Sequence, residues 1–271
     1  MTDQDFDFIR KLLKERCAIV LEPGKQYLVE TRLTPVVRQL NLNSISELVG
    51  QLRTESGSVL YPQIVEAMVT TETSFFRDHN PFETLRRKVL PDLIERRGQE
   101  RSLSIWCAAS STGQEPYSIA LMIREHFPQI ADWKLTLLAS DLSRDVLARA
   151  VEGRYNQTEA NRGMPATMLV KYFDQQGTSW QLKSEIRSMV KFQAINLAQP
   201  WPYMPRMDLV MLRNVMIYFD VETKKSILDR VARLLRSDGY MLLGGAETTI
   251  NLVDCFKRIP HLKSGFYQLV E

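Results

Sequence analysis

The stretch SLSIWCAASSTGQEPYSIALMIREHF (residues 102–127) decides the fold class of this chain. Its first part, SLSIWCA (102–108), is an apolar run with the length of a buried strand. SSTGQEP (110–116) then has the composition of a tight turn, and YSIALMIREHF (117–127) that of a helix. Strand, turn and helix in this order are typical of a parallel α/β sheet.

The same alternation runs through the rest of the chain. Further strands are predicted at 134–141, 190–195, 207–212, 239–245 and 265–270, and helices at 144–153 and 221–236, with Gly239 as the stop of the last helix. This pattern predicts an α/β fold with a mostly parallel sheet covered by helices on both faces. The final strand follows a connection, CFKRI (255–259), that is too short for a helical crossover, so we expect it to be antiparallel.

Two regions lie outside this alternation. Residues 1–70 show only helical spacing of apolar residues and are predicted to form a small all-helical N-terminal domain, followed by a linker and connecting helix at 71–99. The sheet domain is predicted to span 100–271. Within it, residues 154–189 are rich in polar and turn residues, and we interpret them as an inserted antiparallel β-subdomain with some helix in its first half.

Composition and charge exclude several classes of protein. The chain has 35 Lys and Arg against 32 Asp and Glu, and a net charge of +3 is too small to indicate nucleic acid binding by itself. No apolar run reaches the roughly 18 residues of a membrane helix, and the acidic N-terminus does not have the pattern of a signal peptide. The cysteines and histidines are widely separated: Cys17, Cys107, Cys255, His79, His126 and His261. We therefore expect a cytoplasmic protein with no metal site and no disulfide framework.

Ligands of open α/β sheets bind beyond the carboxyl ends of the strands, so the residues that follow each strand are the candidates for a site. The turn after the first strand has small residues but only Gly113, so it lacks the GxGxxG pattern of a dinucleotide site. Glu115 in this turn would attract a positively charged ligand and repel phosphate. It also suits the positive end of the helix dipole, which is an ordinary structural role.

Polar residues follow three other strands. Asp141, after the second strand, could accept both hydroxyl groups of a ribose, or it could cap the helix that begins near Ser143. Asn196 and Asn214 follow the third and fourth strands, where an amide either binds a ligand or closes a turn. Together these positions favour a nucleoside cofactor without a pyrophosphate, and S-adenosylmethionine has that chemistry.

The motifs in these positions resemble those of the chemoreceptor glutamate methyltransferase family, CheR. The matching stretches occur in the family's order and cover most of the chain from residue 70 onward: TTETSFFRD (70–78), WCAASSTGQEPYSIA (106–120), ASDLSRDVLARAVEGRY (139–155), NL (196–197), RNVMIYFD (213–220) and RLLRSDGYMLLGGAE (233–247). STGQEPYS and RNVMIYFD are the most specific of them. The helical N-terminal region is similar to the family's in layout.

The resemblance implies an S-adenosylmethionine-dependent methyltransferase with a Rossmann-like sheet. The reaction would convert glutamate side chains in the helical cytoplasmic region of bacterial chemoreceptors to methyl esters, with S-adenosylhomocysteine as the other product. It implies that the cofactor contacts Thr71, Thr73, Arg77, Glu115, Asp141, Asn196, Leu197, Asn214 and Val215. It also places Arg77 and Tyr218 near the transferred methyl, as the catalytic residues. We expect a monomer that meets membranes only through receptors and binds no nucleic acid.

The chain departs from the family pattern at three places. Gln114 replaces the first of two acidic residues, the helix around 32–38 has fewer arginines than a strongly basic receptor-facing helix, and the segment 173–190 is short. In some family members the inserted subdomain binds a peptide at the receptor's C-terminus, and the short segment argues against that tether here. Residues 10–38 still contain seven basic residues, which form either a docking face for an acidic receptor helix or an ordinary solvated surface: Arg10, Lys11, Lys14, Arg16, Lys25, Arg32 and Arg38.

Other functions remain alternatives at this level. One is a methyltransferase for another substrate. Enzymes that methylate the amino groups of nucleic acid bases usually carry an Asn-Pro-Pro-Tyr-type motif after the fourth strand, whereas this chain has RNVMIY (213–218) without proline. A second alternative is a catalytically inactive module that senses the cofactor. A third, an NAD-dependent oxidoreductase, is disfavoured by the absence of GxGxxG.

Overall fold

The computed structural model describes residues 1–260, 262 and 264–270, without the side chains of Glu55 and Ser56. Two of the predictions above concern residues outside the described ranges. They are the expectation that His261 belongs to no metal site and the choice of Glu271 as the end of the sheet domain. Among the helices of the described ranges, none has both the length and the apolar composition to cross a membrane.

The N-terminal part is helical, as predicted. It contains α1 (Asp3–Cys17), α2 (Gln26–Gln39), α3 (Ile45–Leu52) and α4 (Tyr61–Met68), with a 3₁₀ helix at Glu55–Leu60. These helices enclose an apolar core of their own, which includes Ile9, Leu33 and Leu48. We call residues 1–70, which contain these helices and the loops between them, the helical unit.

A nearly continuous helix connects the helical unit to the sheet. It consists of α5 (Asn80–Thr84), a π turn (Leu85–Val89) and α6 (Leu90–Arg96). The remaining helices are α7 (Gln114–His126), α8 (Arg144–Glu152), α9 (Gln157–Asn161), α10 (Ala166–Tyr172), α11 (Ser184–Arg187) and α12 (Val221–Leu234). The strands are β1 (Ser102–Ala108), β2 (Lys134–Asp141), β3 (Arg154–Asn156), β4 (Phe173–Gln176), β5 (Ser179–Leu182), β6 (Val190–Ala194), β7 (Met207–Leu212), β8 (Leu235–Leu243), β9 (Phe256–Arg258) and β10 (Phe266–Leu269).

The main sheet has seven strands in the order β6-β2-β1-β7-β8-β10-β9. β6, β2, β1, β7 and β8 are parallel to one another, and β10 is antiparallel to β8. The predicted mostly parallel sheet with an antiparallel last strand is therefore confirmed. Buried apolar side chains fill both faces, which explains why β7 appears in the sequence as an unbroken apolar run.

Two details of the sequence interpretation are wrong. The connection CFKRI contains a strand of its own, β9, which pairs antiparallel with β10 at the sheet edge. Gly239 does not stop a helix, since α12 ends at Leu234 and Gly239 lies within β8. At Gly239 a side chain would approach the Asp208 carbonyl oxygen to 2.9 Å, and the pairing of β7 with β8 shifts register beside it. Gly239 thus permits close contact between two strands.

The insertion after the second strand forms a small antiparallel sheet in the order β3-β5-β4. The predicted hairpin corresponds to β4 and β5, and β3 adds a third strand that the sequence did not reveal. The rings of Phe75, Tyr155 and Phe173 pack edge to face beneath this sheet. The Tyr155 hydroxyl donates to the Thr112 carbonyl at 2.8 Å, which ties the insertion to the turn after β1.

The helical unit is attached to the carboxyl-end side of the main sheet by specific hydrogen bonds. The Val20 amide donates to the Tyr218 carbonyl at 2.9 Å, and the Asn196 side-chain amide donates to the Arg16 carbonyl at 2.8 Å. The Arg144 amide at the start of α8 donates to the Glu66 carboxylate at 2.7 Å. The segment that follows α1 is therefore fixed above the strand ends.

Candidate active site

A cavity of about 190 Å³ lies between the helical unit and the carboxyl ends of β6, β2, β1 and β7. Every residue predicted for the site lines it except Thr71: Thr73, Arg77, Glu115, Asp141, Asn196, Leu197, Asn214, Val215 and Tyr218. The cavity lies beside the point between β1 and β7 where the strand order reverses, which is where this class of sheet binds ligands. The helical unit supplies an apolar part of the wall through Ile19, Val20, Leu21, Leu28 and Met68.

Asp141 ends β2 and turns its carboxylate toward backbone amides. One oxygen accepts from the Ser111 amide at 2.8 Å and the other from the Ser143 amide at 3.1 Å. Burial raises the pKa of the Asp141 carboxyl, and these amide donors oppose the rise. The helix-cap alternative is wrong, because the side chain that caps α8 is that of Ser143, which accepts from the Val146 amide at 3.2 Å.

Glu115 lies in the first turn of α7, which begins at Gly113 with a φ of 92°. At Gly113 a side chain would approach the Ala150 Cβ to 3.0 Å, so glycine suits both the left-handed backbone and the close packing. The Glu115 carboxylate accepts from Arg213 Nη1 at 2.8 Å. Burial raises the pKa of Glu115, and the Arg213 guanidinium opposes that rise.

Arg213, whose side chain is buried, is the centre of an ionic cluster that the sequence does not predict. Besides Glu115, it binds the Asp78 carboxylate at 2.7 Å and the Arg77 carbonyl at 3.1 Å. Its guanidinium also lies 5.7 Å from the ring centroid of Phe82. Arg213 therefore joins the end of β7, the start of α7 and the loop before α5. Its position directly after an apolar strand was a signal, but its partners are distant in sequence.

The loop before α5 contributes Thr73 and Arg77. Arg77 is half-buried and donates to the Glu72 carbonyl at 3.1 Å. Its positive charge, like that of Arg213, opposes the rise that burial causes in the pKa of Glu115. Thr71 does not line the cavity. Its carbonyl instead accepts from the Ser111 hydroxyl at 2.8 Å, so it holds this loop against the turn after β1.

The amides after β6 and β7 have different surroundings. Asn196 uses its side chain locally, since its oxygen accepts from the Ala198 amide at 3.0 Å while its nitrogen binds the helical unit. Asn214 has a φ of 58°, in the left-handed region that asparagine tolerates better than most residues. The Glu247 carboxylate accepts from the backbone amides of Asn214 and Val215 at 2.8 and 2.9 Å. Sequence reasoning missed Glu247, although it ends the matching stretch 233–247.

Tyr218 lines the cavity at the end of a 3₁₀ turn, Met216–Tyr218. It is half-buried, and its hydroxyl makes no hydrogen bond to any residue in the described ranges. Arg32 of α2 also lines the cavity, where it donates to the Met68 carbonyl and to the Thr70 hydroxyl, the latter at 2.8 Å. Burial lowers the pKa of Arg32, and its interaction with Tyr218 opposes that effect.

The seven basic residues of the predicted docking face have different surroundings in the structure. Arg10 and Lys14 form ion pairs with Asp7 and Asp220, and Arg32 points into the cavity wall. Lys11 lies 3.9 Å from Glu15, and Arg16 stacks on Tyr61. Exposed Lys25 and Arg38 have no carboxylate partner among the described side chains. A docking surface can therefore use only part of the basic stretch.

The cavity fits S-adenosylmethionine by its chemistry. Its charged side chains are balanced in sign, as suits a ligand with a sulfonium and an amino-acid group: Glu72, Glu115, Asp141, Arg32, Arg77 and Arg213. The buried Ser110 hydroxyl lines the wall and has no hydrogen-bond partner in the described part of the chain, so it can bind a ligand. With the sheet order above, this site defines an S-adenosylmethionine-dependent methyltransferase.

Comparison with known proteins gives the same class and refines it. Residues 71–263 match the family described as "CheR methyltransferase, SAM binding domain", and residues 4–70 match "CheR methyltransferase, all-alpha domain". Chemotaxis protein methyltransferase 1 of Pseudomonas aeruginosa is 40% identical over 259 residues, which cover 94% of each chain. A chemotaxis protein methyltransferase of Pseudomonas putida is 37% identical over 97% of each chain, and one of Vibrio parahaemolyticus is 35% identical over 99% of this chain and 98% of its own. The chain belongs to the CheR methyltransferase family.

Proposed function

We propose that this chain transfers methyl groups from S-adenosylmethionine to glutamate side chains of chemoreceptors. The products are glutamyl methyl esters and S-adenosylhomocysteine. The observation that carries the proposal is the hydroxyl of Tyr218, which has no hydrogen-bond partner among the described residues and lines the same cavity as Arg77 and the end of β7. The names of the chemotaxis relatives support a chemoreceptor as the substrate.

The residues perform the reaction by position rather than by proton transfer. A glutamate carboxylate has an ordinary pKa of about 4.3, so it is already ionised at neutral pH and needs no general base. S-adenosylmethionine, when bound, supplies a methyl group on a sulfonium. Tyr218 donates a hydrogen bond to one oxygen of the substrate carboxylate, and the guanidinium of Arg77 orients the same carboxylate through its positive charge. The apolar wall from the helical unit excludes water, which would compete for these contacts.

Asp141, Glu115 and the turn after β7 hold the cofactor in this proposal. Asp141 binds the ribose, and the carboxylate of Glu115 lies near the cationic part of the amino-acid group. Asn214 and Val215 form the wall beside β7. Thr71 contributes only through the loop that its carbonyl fixes, because its side chain lies outside the cavity lining.

The test uses labelled S-adenosylmethionine, the purified chain and membranes that carry chemoreceptors. We expect label on receptor bands that is released by mild base, as a methyl ester requires. Label on nucleic acid would contradict the proposal in favour of another substrate. Cofactor binding without transfer to receptors, across membranes from receptor-rich cells, would favour a sensing module.

Replacing Asp141 by alanine is expected to weaken the binding of S-adenosylhomocysteine about tenfold. The variant loses a charged hydrogen-bond acceptor for the ribose. A hydrogen bond to a charged group contributes about 1.5 kcal/mol at the lower end of its usual range, which corresponds to this loss of affinity. Isothermal titration calorimetry measures the affinity. Ser143→Ala is the matched control, since it removes the cap of α8 and costs about 1 kcal/mol of stability without removing a ligand contact. Equal affinity in the native chain and Asp141→Ala would leave Asp141 with a structural role alone.

Exposed Arg38 offers a direct test of docking on α2. The acidic methylation region of a receptor would be attracted to it, so Arg38→Glu is expected to slow receptor methylation about threefold at low ionic strength. S-adenosylhomocysteine affinity should not change, because Arg38 does not line the cavity. Lys257→Glu on the edge strand β9 also reverses an exposed positive charge and should have no effect. Equal rates for the two variants would exclude docking at Arg38.

We propose that receptors are reached without a C-terminal peptide tether, by a monomer in the cytoplasm. The hairpin of the insertion is compact, since four-residue strands β4 and β5 are joined only by Gly177 and Thr178. Such a hairpin has little room for an additional binding loop. Removal of the last residues of a receptor should therefore leave its methylation rate unchanged.

A further inference from the structure

Glu247 has a carboxylate that is completely used by backbone donors. One oxygen accepts from the amides of Gly244 and Asn214 at 2.7 and 2.8 Å. The other accepts from the amides of Val215 and Met216 at 2.9 and 2.8 Å. A carboxylate has about four acceptor positions, so all of them are occupied by main-chain N–H groups. Glu247 therefore binds no ligand itself.

The backbone around Glu247 is shaped for this arrangement. After β7 the chain enters the left-handed region at Asn214, and successive amides then point in one direction, as in backbone sites for anions. Gly244 makes the close approach possible, because a Cβ there would lie 2.6 Å from the Glu247 carboxylate and 2.9 Å from the Asn214 amide. The Glu247 amide also donates to the Gly244 carbonyl at 3.0 Å, which closes the turn after β8.

The amides that Glu247 holds belong to the turn that carries the proposed chemistry. Asn214 and Val215 line the cavity, and Met216 begins the 3₁₀ turn that ends at Tyr218. On the other side, the Tyr218 carbonyl accepts from Val20. The turn is therefore held at its start by Glu247 and at its end by the helical unit.

We propose that Glu247 is a positioning residue for methyl transfer, which fixes the 214–218 turn and so aims the Tyr218 hydroxyl; this inference rests on the proposed function above. The Glu247 carboxylate follows β8, the neighbour of β7, and its hydrogen bonds limit the movement of the 214–218 turn. Small displacements of a catalytic group lower rates steeply, so the carboxylate acts on turnover through Tyr218.

The test is the variant Glu247→Gln, which preserves the size of the side chain. It replaces one carboxylate oxygen by an NH₂ group, so two of the four backbone amides lose their acceptor. We expect kcat for receptor methylation to fall about tenfold and the affinity for S-adenosylhomocysteine to fall about threefold, at a temperature where circular dichroism shows a folded chain. Glu100→Gln is the control, because the Glu100 carboxylate pairs with Arg236 on the surface. It should leave both quantities unchanged.

A double-mutant cycle separates positioning from a general loss of stability. If Glu247 acts through Tyr218, the fold reduction in kcat that Glu247→Gln causes should be at least two times smaller in a Tyr218→Phe background than in the native chain. An equal effect in both backgrounds, or a lower melting temperature with unchanged kcat and affinity, would overturn the inference. Should Glu247→Gln fail to fold, Gly244→Ala displaces the same carboxylate and is expected to lower kcat in the same way; full activity of a folded Gly244→Ala would equally overturn it.

The outcome also distinguishes this inference from the proposed function. A native chain that transfers no methyl to receptors contradicts the proposed function. In that case the affinity of Glu247→Gln for S-adenosylhomocysteine still decides whether Glu247 positions the wall at Asn214 and Val215. Weaker binding supports that part of the inference, and unchanged binding contradicts it.

Discussion

Replacement of Arg213 by methionine is expected to lower the free energy of unfolding by about 3–5 kcal/mol. Its side chain is 1% exposed and its main partner is the buried carboxylate of Glu115. Removing one member of a buried pair leaves the other charge without compensation, and that loss is far larger than the value of a surface ion pair. Asp78 and the Arg77 carbonyl would lose their partner as well. Urea denaturation measures the effect.

The pH dependence of this effect has a definite sign. Burial raises the folded-state pKa of Glu115 above its unfolded value, so stability is lost as pH rises through the folded pKa. Arg213 opposes the shift, and its removal raises the pKa of Glu115 further. The difference in stability between native chain and Arg213→Met should therefore grow as the pH rises above about 4.5, the ordinary pKa of a glutamate. A constant difference over this range would show that Glu115 is not the group concerned.

A matched surface variant controls for the substitution itself. Arg124 lies 3.7 Å from Glu185, and both side chains are about half exposed. Arg124→Met removes a similar pair in water and should change the stability by less than about 1 kcal/mol. Comparable losses in the two variants would contradict the special role of the Arg213 cluster.

Replacement of Tyr218 by phenylalanine is expected to lower kcat for receptor methylation about 100-fold. The ring remains in place, so the apolar wall is preserved, but the hydrogen bond that aims the substrate carboxylate is lost. The hydroxyl makes no hydrogen bond to the described part of the protein, so its removal leaves no partner unsatisfied and should not destabilise the fold. Single-turnover transfer of labelled methyl groups measures the rate.

The affinity for S-adenosylhomocysteine should be unchanged in Tyr218→Phe. Tyr203→Phe, at a side chain that is 98% exposed, is the control for loss of a phenol hydroxyl. If Tyr218→Phe abolished cofactor binding and had no separate effect on turnover, the assigned role would be wrong.

The sequence predicted most of the main sheet because its signals are local. Strands β1, β2 and β7 occur at the predicted residues, since each is a short apolar run bounded by turn residues. β9 escaped prediction because a three-residue edge strand has too few residues for a pattern, and its pairing with β10 is a tertiary property. The same holds for β3 in the insertion.

The candidate site was predictable where one residue follows one strand. Asp141, Asn196 and Asn214 stood out in this way, and all of them line the cavity. The roles of Arg213 and Glu247 were not accessible, because their partners are 98 and 33 residues away along the chain. The sequence pattern places Arg32 on the surface of α2, because helical periodicity indicates only which face of a helix packs within its own domain. It does not indicate that the sheet domain lies beside that surface and forms a cavity with it.

The hydrogen bond between Asn196 and Arg16 has a consequence for biosynthesis. The two residues are 180 positions apart, and the Val20 amide meets its acceptor only at Tyr218. During translation the helical unit is made before the sheet, but the cavity has no opposite wall until β7 and the turn after it have emerged. A nascent chain therefore has no complete cofactor site before the 214–218 turn has been synthesised.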